Sequence, residues 1–240
     1  DEPETTLLHG RIIKKKKFLK KLYTEWYKKL AFHIKDIPDG EIVEIGSGAG
    51  FIKEIIPEVK TSDVLMLPDL DIITTGEKLP FESNTISAFL MLDTLHHIPK
   101  PVLFLQEALR TLKNYGKIVM IEPANTVWGR FIYKNFHHED FDPDSNWEIP
   151  QKGPLSAANG AIPWIIFERD REKFQKKLPN LKIHKIQYHT PLRYLISGGV
   201  SMRCLVPSWS FEFFTAVDNL LSTVTRQFAM FQTVLLVKVN

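Results

Sequence analysis

Apolar positions along the chain alternate between helical and strand periods. Over 11–34, Leu19, Leu22, Tyr23, Trp26 and Leu30 recur at spacings of three and four and predict one helix with a single apolar face. Pro38-Asp39-Gly40 breaks that helix, and EIVEI at 41–45 predicts a short strand. GSGAG at 46–50 reads as a turn leading into a short helix over 49–56, which Pro57 ends. β-branched runs at 59–64 and 71–75 are strand-like, and TISAFLML at 85–92 has the near-continuous apolar pattern of a strand buried on both faces. A helix over 100–112 carries Val102, Leu105, Leu109 and Leu112 on one side. Tyr115-Gly116 closes it, and KIVMIE at 117–122 is the next buried strand. Residues 123–165, dense in Pro, Asn, Asp, His and Trp, predict an irregular insertion. A helix at 168–178, strands at 181–189 and 230–239, and one or two short helices within 191–227 complete the pattern. Strands alternating with helices imply a parallel sheet with right-handed crossovers, covered by helices on both faces.

A length of 240 residues suits a single domain over 1–240, and 44% hydrophobic residues exclude disorder and a disulfide scaffold. The lone Cys204 can form neither an internal disulfide nor a cysteine-based zinc site, which points to a reducing, cytoplasmic setting. No uncharged apolar stretch is long enough to span a membrane, and no signal-peptide pattern is present. A net charge of +3 is too mild to argue for nucleic acid. Its distribution says more. Arg11, Lys14, Lys15, Lys16, Lys17, Lys20, Lys21, Lys28 and Lys29 crowd the predicted first helix, with Glu25 as its only acid. Basic residues interleaved with Tyr23 and Trp26 suit an anionic lipid surface or a phosphorylated acceptor, or a solvated helix covering a ligand entrance.

The strongest local signal is the strand–turn–helix EIVEIGSGAGFIKEI. Gly46, Gly48 and Gly50 allow a tight turn and let a ligand lie against the backbone, and the helix after them would aim its N–H groups at that ligand. A nicotinamide-cofactor loop would place a third glycine where Phe51 stands. Asp63 ends the second strand, where a carboxylate can accept both ribose hydroxyls of a nucleotide. Further on, GEKLPFESNTISAFLMLDTLHHI sets LPF before a buried strand and an Asp-x-Leu-His-His turn after it. Over about 41–122 these residues resemble class I S-adenosylmethionine-dependent methyltransferases, specifically the type 11 methyltransferase domain family.

The resemblance implies a Rossmann-like, seven-stranded, mostly parallel sheet with an antiparallel last strand at 230–239, and S-adenosyl-L-methionine as cofactor. It implies that Gly46, Ser47 and Gly48 line the methionine end, that Asp63 holds the ribose and that Val64 touches the adenine. Gly76 and Glu77 would face the adenine edge, Asp93 would lie near the cofactor amino group, and Glu44 would orient the loop from behind. Thr75 stands where family members often carry an aspartate for the adenine amino group. The activity implied is methyl transfer to a small-molecule, lipid-linked or sugar-linked hydroxyl or amine. The alternatives are a non-catalytic or RNA-associated cofactor-binding module and a nicotinamide-dependent reductase.

The remaining candidates are histidines and aromatics. His97, after the fourth strand, can act as a base beside the methyl group. His137, His138, Glu139 and Asp140 are metal-ligand types, but adjacent histidines point apart and no i,i+4 pair occurs, so no metal is expected. A substrate-facing lid with His137 or His138 as general base fits better. Trp128, Phe131, Tyr133, Phe136, Trp147 and Trp164 are expected to pack the 123–165 insertion onto the sheet. Trp209, Phe211, Phe213 and Phe214 are expected to pack as core rather than touch a membrane, 123–165 and 191–227 together closing over the acceptor. Peripheral attachment at a membrane would come through the basic helix.

Overall fold

A computed structural model describes residues 2–137, 139–149 and 158–240. The helices are α1 (Pro3–Lys15), α2 (Lys17–His33), α3 (Pro101–Thr111), α4 (Val127–Phe136), α5 (Ile162–Trp164), α6 (Arg171–Lys177), α7 (Arg193–Ser197) and α8 (Phe211–Val224). The strands are β1 (Glu41–Ile45), β2 (Lys60–Asp63), β3 (Ile72–Ile73), β4 (Ile86–Leu92), β5 (Leu112–Pro123), β6 (Leu181–His189) and β7 (Phe231–Lys238). They form one sheet in the order β3-β2-β1-β4-β5-β7-β6, with β7 antiparallel to both of its neighbours. The order reverses between β1 and β4, which is where open sheets of this kind leave a crevice beyond the strand ends.

Burial explains the composition of the central strands. Every residue of β4 is buried because helices cover both faces, and Val43, Phe89 and Ile118 stand in register across β1, β4 and β5. Leu19, Leu22, Trp26 and Leu30 of α2 are at most 2% exposed, as the helical spacing requires. The parallel sheet with an antiparallel last strand is as expected.

Four local expectations are corrected. The basic segment 11–34 is two helices, not one. Lys16 is extended between them, and its ammonium donates to the carbonyls of Gly199 (2.7 Å) and Met202, a tertiary tie that replaces helical continuity. The expected helix at 49–56 shrinks to a 3-10 turn at Ile52–Glu54, because Phe51, Ile52 and Ile56 all turn into the core and Pro57 cannot donate. The strand expected at 117–122 begins at Leu112 and absorbs a bulge at which the pairing with β4 shifts, Tyr115 adopting a φ of +64°. The insertion at 123–165 contains a regular helix, α4, capped by Thr126, whose hydroxyl accepts from the Gly129 N–H at 2.9 Å.

Candidate active site

The glycine turn after β1 is held by β2. The Ser47 N–H donates to Ser62 O (2.9 Å), and the Ser62 N–H donates back to Ser47 Oγ (3.1 Å). The Gly48 N–H donates to Asp63 Oδ2 at 2.8 Å, while Asp63 Oδ1 accepts from the Leu65 N–H at 3.0 Å. Gly46 has a φ of +70°, and a Cβ there would stand 2.3 Å from Thr94 Cγ2, so only glycine fits. The Glu44 carbonyl accepts from Ser62 Oγ (2.7 Å), while its carboxyl is buried behind the loop. Burial pushes that carboxyl up to about 7, with Ser47 opposing and Asp63 adding to the rise.

In front of this turn lies a cavity of about 410 Å³, within the usual range for small-ligand sites. Of the residues singled out from the sequence, Gly46, Gly48, Asp63, Val64, Gly76, Asp93 and His97 line it. Ser47 and Glu77 do not. Ser47 faces Ser62, and Glu77 Oε1 accepts from the Lys100 N–H (3.1 Å) at the start of α3. Thr74, rather than Thr75, is on the wall. Sequence reasoning missed Thr5, Thr6 and His9 of α1, which close the cavity from outside. The signal was Gly10: a Cβ there would meet Ala49 Cβ at 2.5 Å, so α1 lies directly on the glycine turn.

Beyond Asp93 the cavity wall is a cluster of imidazoles around Glu139. His96 is buried, its Nδ1 2.7 Å from Glu122 Oε2 and its Nε2 3.3 Å from Glu139 Oε2. Glu122 Oε1 also accepts the N–H groups of Thr94 and Leu95. Burial opposes protonation of His96, yet the two glutamates outweigh it and hold the imidazole well above its ordinary range. Glu139 is half-buried, which would raise its carboxyl, but the histidines hold it well below its ordinary value. His97 Nε2 lies 3.6 Å from Glu139 Oε1, and His137 Nδ1 lies 3.7 Å from Glu139 Oε2. Burial raises Asp93 to about 7, His96 opposing and Glu139 and Glu122 adding to the rise. One ligand atom each from His96, His97 and Glu139 lie within 4.8 Å of one another, as do those of Asp93, His96 and Glu122, so either trio could converge on a divalent ion. His138 lies outside the described residues, as do 150–157 of the insertion.

His137 lines a second, narrow cavity that shares Asp93 and Glu139 with the first and is walled by Tyr133, Phe141, Tyr194 and Phe231. Tyr133 stacks on Phe141 at 5.0 Å, and burial raises the Tyr133 and Tyr194 phenols well above their ordinary range. The insertion aromatics divide: Trp147 is buried, but Phe131 and Phe136 are exposed. Trp209 (81% exposed) and Phe213 (64%) also face outward, against the expectation of core packing, while Phe211 is buried.

A seven-stranded sheet of this order, with a glycine turn braced by a carboxylate at the end of β2, defines the class I methyltransferase architecture. Residues 43–120 match the family model described as a methyltransferase domain, and this part of the chain is an S-adenosylmethionine-dependent methyltransferase domain. No curated protein matches the chain in sequence. Among solved structures, a methyltransferase from Haloferax volcanii in complex with the Trm112 methyltransferase activator is 14% identical, with a TM-score of 0.53, over 100% of this chain and 99% of that one. Geranyl diphosphate C-methyltransferase from Streptomyces coelicolor A3(2), solved with Mg²⁺, geranyl-S-thiolodiphosphate and S-adenosyl-L-homocysteine, is 14% identical with a TM-score of 0.52 over 92% and 77%. A Haemonchus contortus phosphoethanolamine N-methyltransferase, solved with phosphomonomethylethanolamine and S-adenosylhomocysteine, is 10% identical with a TM-score of 0.50 over 90% and 53%. These likenesses are of fold. S-adenosylmethionine is the cofactor of the domain, and a roomy cavity against a turn without side chains fits it.

Proposed function

We propose that the protein transfers a methyl group to a hydroxyl or amine of a small-molecule, lipid-linked or sugar-linked acceptor. The observation that carries this reading is Glu139: it stands on the wall of the glycine-turn cavity and of the aromatic cavity beside it, with His97 at its side. When bound, S-adenosylmethionine supplies a methyl group activated on a sulfonium. Gly46 and Gly48 leave room for its methionine end against the backbone, and Asp63 accepts from the ribose hydroxyls. Val64, Thr74 and Gly76 flank the adenine, while Asp93 takes the amino group. Glu44 and Ser47 act from behind by shaping the turn. The proton of an acceptor hydroxyl passes to the His97 imidazole, and Glu139, 3.6 Å from its Nε2, stabilises the imidazolium. His137 positions Glu139 from the other side. Holding the acceptor in line with the methyl group is the larger part of catalysis when the electrophile is already strong.

A surface feature supports an acceptor presented at a membrane. Lys16 ties the α1–α2 break to Gly199 and Met202, so the exposed Lys14, Lys15 and Lys17 border a segment that exposes Met202, Leu205 and Trp209. Cations beside outward-facing apolar groups suit anionic lipid. The attachment proposed is peripheral, and among the described residues no helix is long and apolar enough to cross a membrane. Two relatives of the fold were solved with phosphate-bearing ligands, which makes phosphorylated alcohols and amines the first acceptors to try. The test is incorporation of labelled methyl groups into such compounds and into lipid extracts by the parent and by Glu139→Gln. Transfer by the parent that falls at least about 100-fold in the variant, with S-adenosylhomocysteine affinity kept, supports the reading. Tight binding of S-adenosylhomocysteine with no transfer to any of them would favour a non-catalytic module.

A further inference from the structure

The cations of 11–34 fall into two separate groups in the folded chain. Lys14 to Lys17 flank the α1–α2 break, but Lys28 and Lys29, near the end of α2, line a different cavity of about 450 Å³. It shares no residue with the glycine-turn cavity. Lys185 of β6 and Arg193 of α7 enter it as well, with His33 and Ser222 on its walls.

Its two carboxylates are both committed to Arg193. Nε donates to Asp218 Oδ2 at 2.8 Å and Nη1 donates to Glu25 Oε2 at 2.6 Å, with Thr215 Oγ1 accepting from Nη1 at 2.7 Å. Four cations therefore share the cavity with two carboxylates, both of which are hydrogen-bonded to Arg193, and two positive charges are left over. Lys29 is half-buried and makes no hydrogen bond or ion pair among the described residues. Burial, Arg193 and Lys185 lower its ammonium to about 8 against the pull of Glu25, and burial with Lys185, Lys29 and Lys117 lowers His33. An ordinary solvated face keeps its cations in water. Here one is withdrawn among others, an arrangement that costs stability until an anion enters.

We propose that this cavity binds a phosphate group, carried by a free phosphorylated molecule or by a lipid headgroup, with Lys29 and Lys185 as its charged ligands, Lys28 at the rim and Ser222 as a hydroxyl donor. A dianion with several oxygens matches an excess of two positive charges better than a single carboxylate does. The site lies behind Trp26, whose ring packs on Tyr194 (5.9 Å) and Phe231 (4.7 Å), two walls of the narrow aromatic cavity. It is distinct from the methyl-transfer reading and does not depend on it.

The experiment is thermal unfolding and calorimetry of the full chain with pyrophosphate, against chloride at matched ionic strength, and with phosphatidic acid vesicles against phosphatidylcholine vesicles. Pyrophosphate at a tenfold excess over its Kd should raise the melting temperature by about 3–6 °C. Lys29→Met should raise the melting temperature of the ligand-free protein, because it removes a half-buried cation held beside Arg193 and Lys185, and should abolish the pyrophosphate shift. Lys185→Met is exposed and folds regardless; it should weaken pyrophosphate at least about tenfold while S-adenosylhomocysteine affinity stays unchanged. Binding of phosphatidic acid vesicles but not pyrophosphate, lost in the same variants, assigns the phosphate to a headgroup. Absence of any response in the parent, or equal binding by parent and variants, would overturn the proposal.

Discussion

Asp63→Asn separates two duties that one carboxylate performs. In the structure Oδ2 accepts from the Gly48 N–H at 2.8 Å and Oδ1 from the Leu65 N–H at 3.0 Å. Asparagine keeps the shape but offers one acceptor oxygen, and its amide NH₂ then faces one of those two donors. A hydrogen bond to a charged acceptor contributes about 1.5–3 kcal/mol, so the ligand-free variant should lose about 2 kcal/mol of unfolding free energy. If the same carboxylate also receives the ribose hydroxyls, binding loses a further term of that size, which is about a 30-fold weakening of S-adenosylhomocysteine. Urea unfolding reads the first effect and titration calorimetry the second. Asp63→Ala, with no acceptor at all, should exceed Asp63→Asn in both. A stability loss with affinity unchanged would confine Asp63 to bracing the turn and refute its place in the cofactor site.

Three other outcomes follow from the geometry. Gly46→Ala should weaken S-adenosylhomocysteine far more than Gly48→Ala: both need positive φ, costing about 1–2 kcal/mol, but only at Gly46 does the new Cβ collide, 2.3 Å from Thr94 Cγ2 against 3.4 Å from Thr6 Cγ2 at Gly48; equal losses would show that Thr94 yields freely. Glu44 has a folded-state value of about 7 against an ordinary 4.5, so the folded chain holds a proton that the unfolded chain has released, and stability is lost as pH rises from about 4.5 through 7. The full loss is about 3 kcal/mol by linkage; Glu44→Gln should therefore gain on the parent at pH 8 relative to pH 5 in urea unfolding, and a gap that does not change with pH would refute this account. Replacing Lys14, Lys15 and Lys17 with Gln, and sparing Lys16 because it braces the helix break, should weaken retention on anionic vesicles, most at low salt, where each cation contributes about 1 kcal/mol; unchanged retention would leave these lysines as a solvated surface.

What the sequence alone determines here is local and periodic. Strands buried on both faces announce themselves as apolar runs, so β1, β4, β5 and β7 could be placed from 41–45, 85–92, 117–122 and 230–239, and a glycine turn followed at short range by Asp63 marked residues that line one cavity. Tertiary structure decides whatever depends on contacts between distant segments. Lys16 ends a helix by reaching Gly199 and Met202, a break with no proline or glycine to mark it. His96-His97 and His137 with Glu139 look like two unrelated polar turns in sequence, since neighbouring histidines diverge along one backbone. Only the close approach of the α4 exit to the end of β4 turns them into a cluster with contacts of 3.3 to 3.7 Å. One run of cations likewise separates into two surfaces, because a helix carries residues a dozen positions apart to opposite ends, and the carboxylates that match or fail to match them come from elsewhere in the chain.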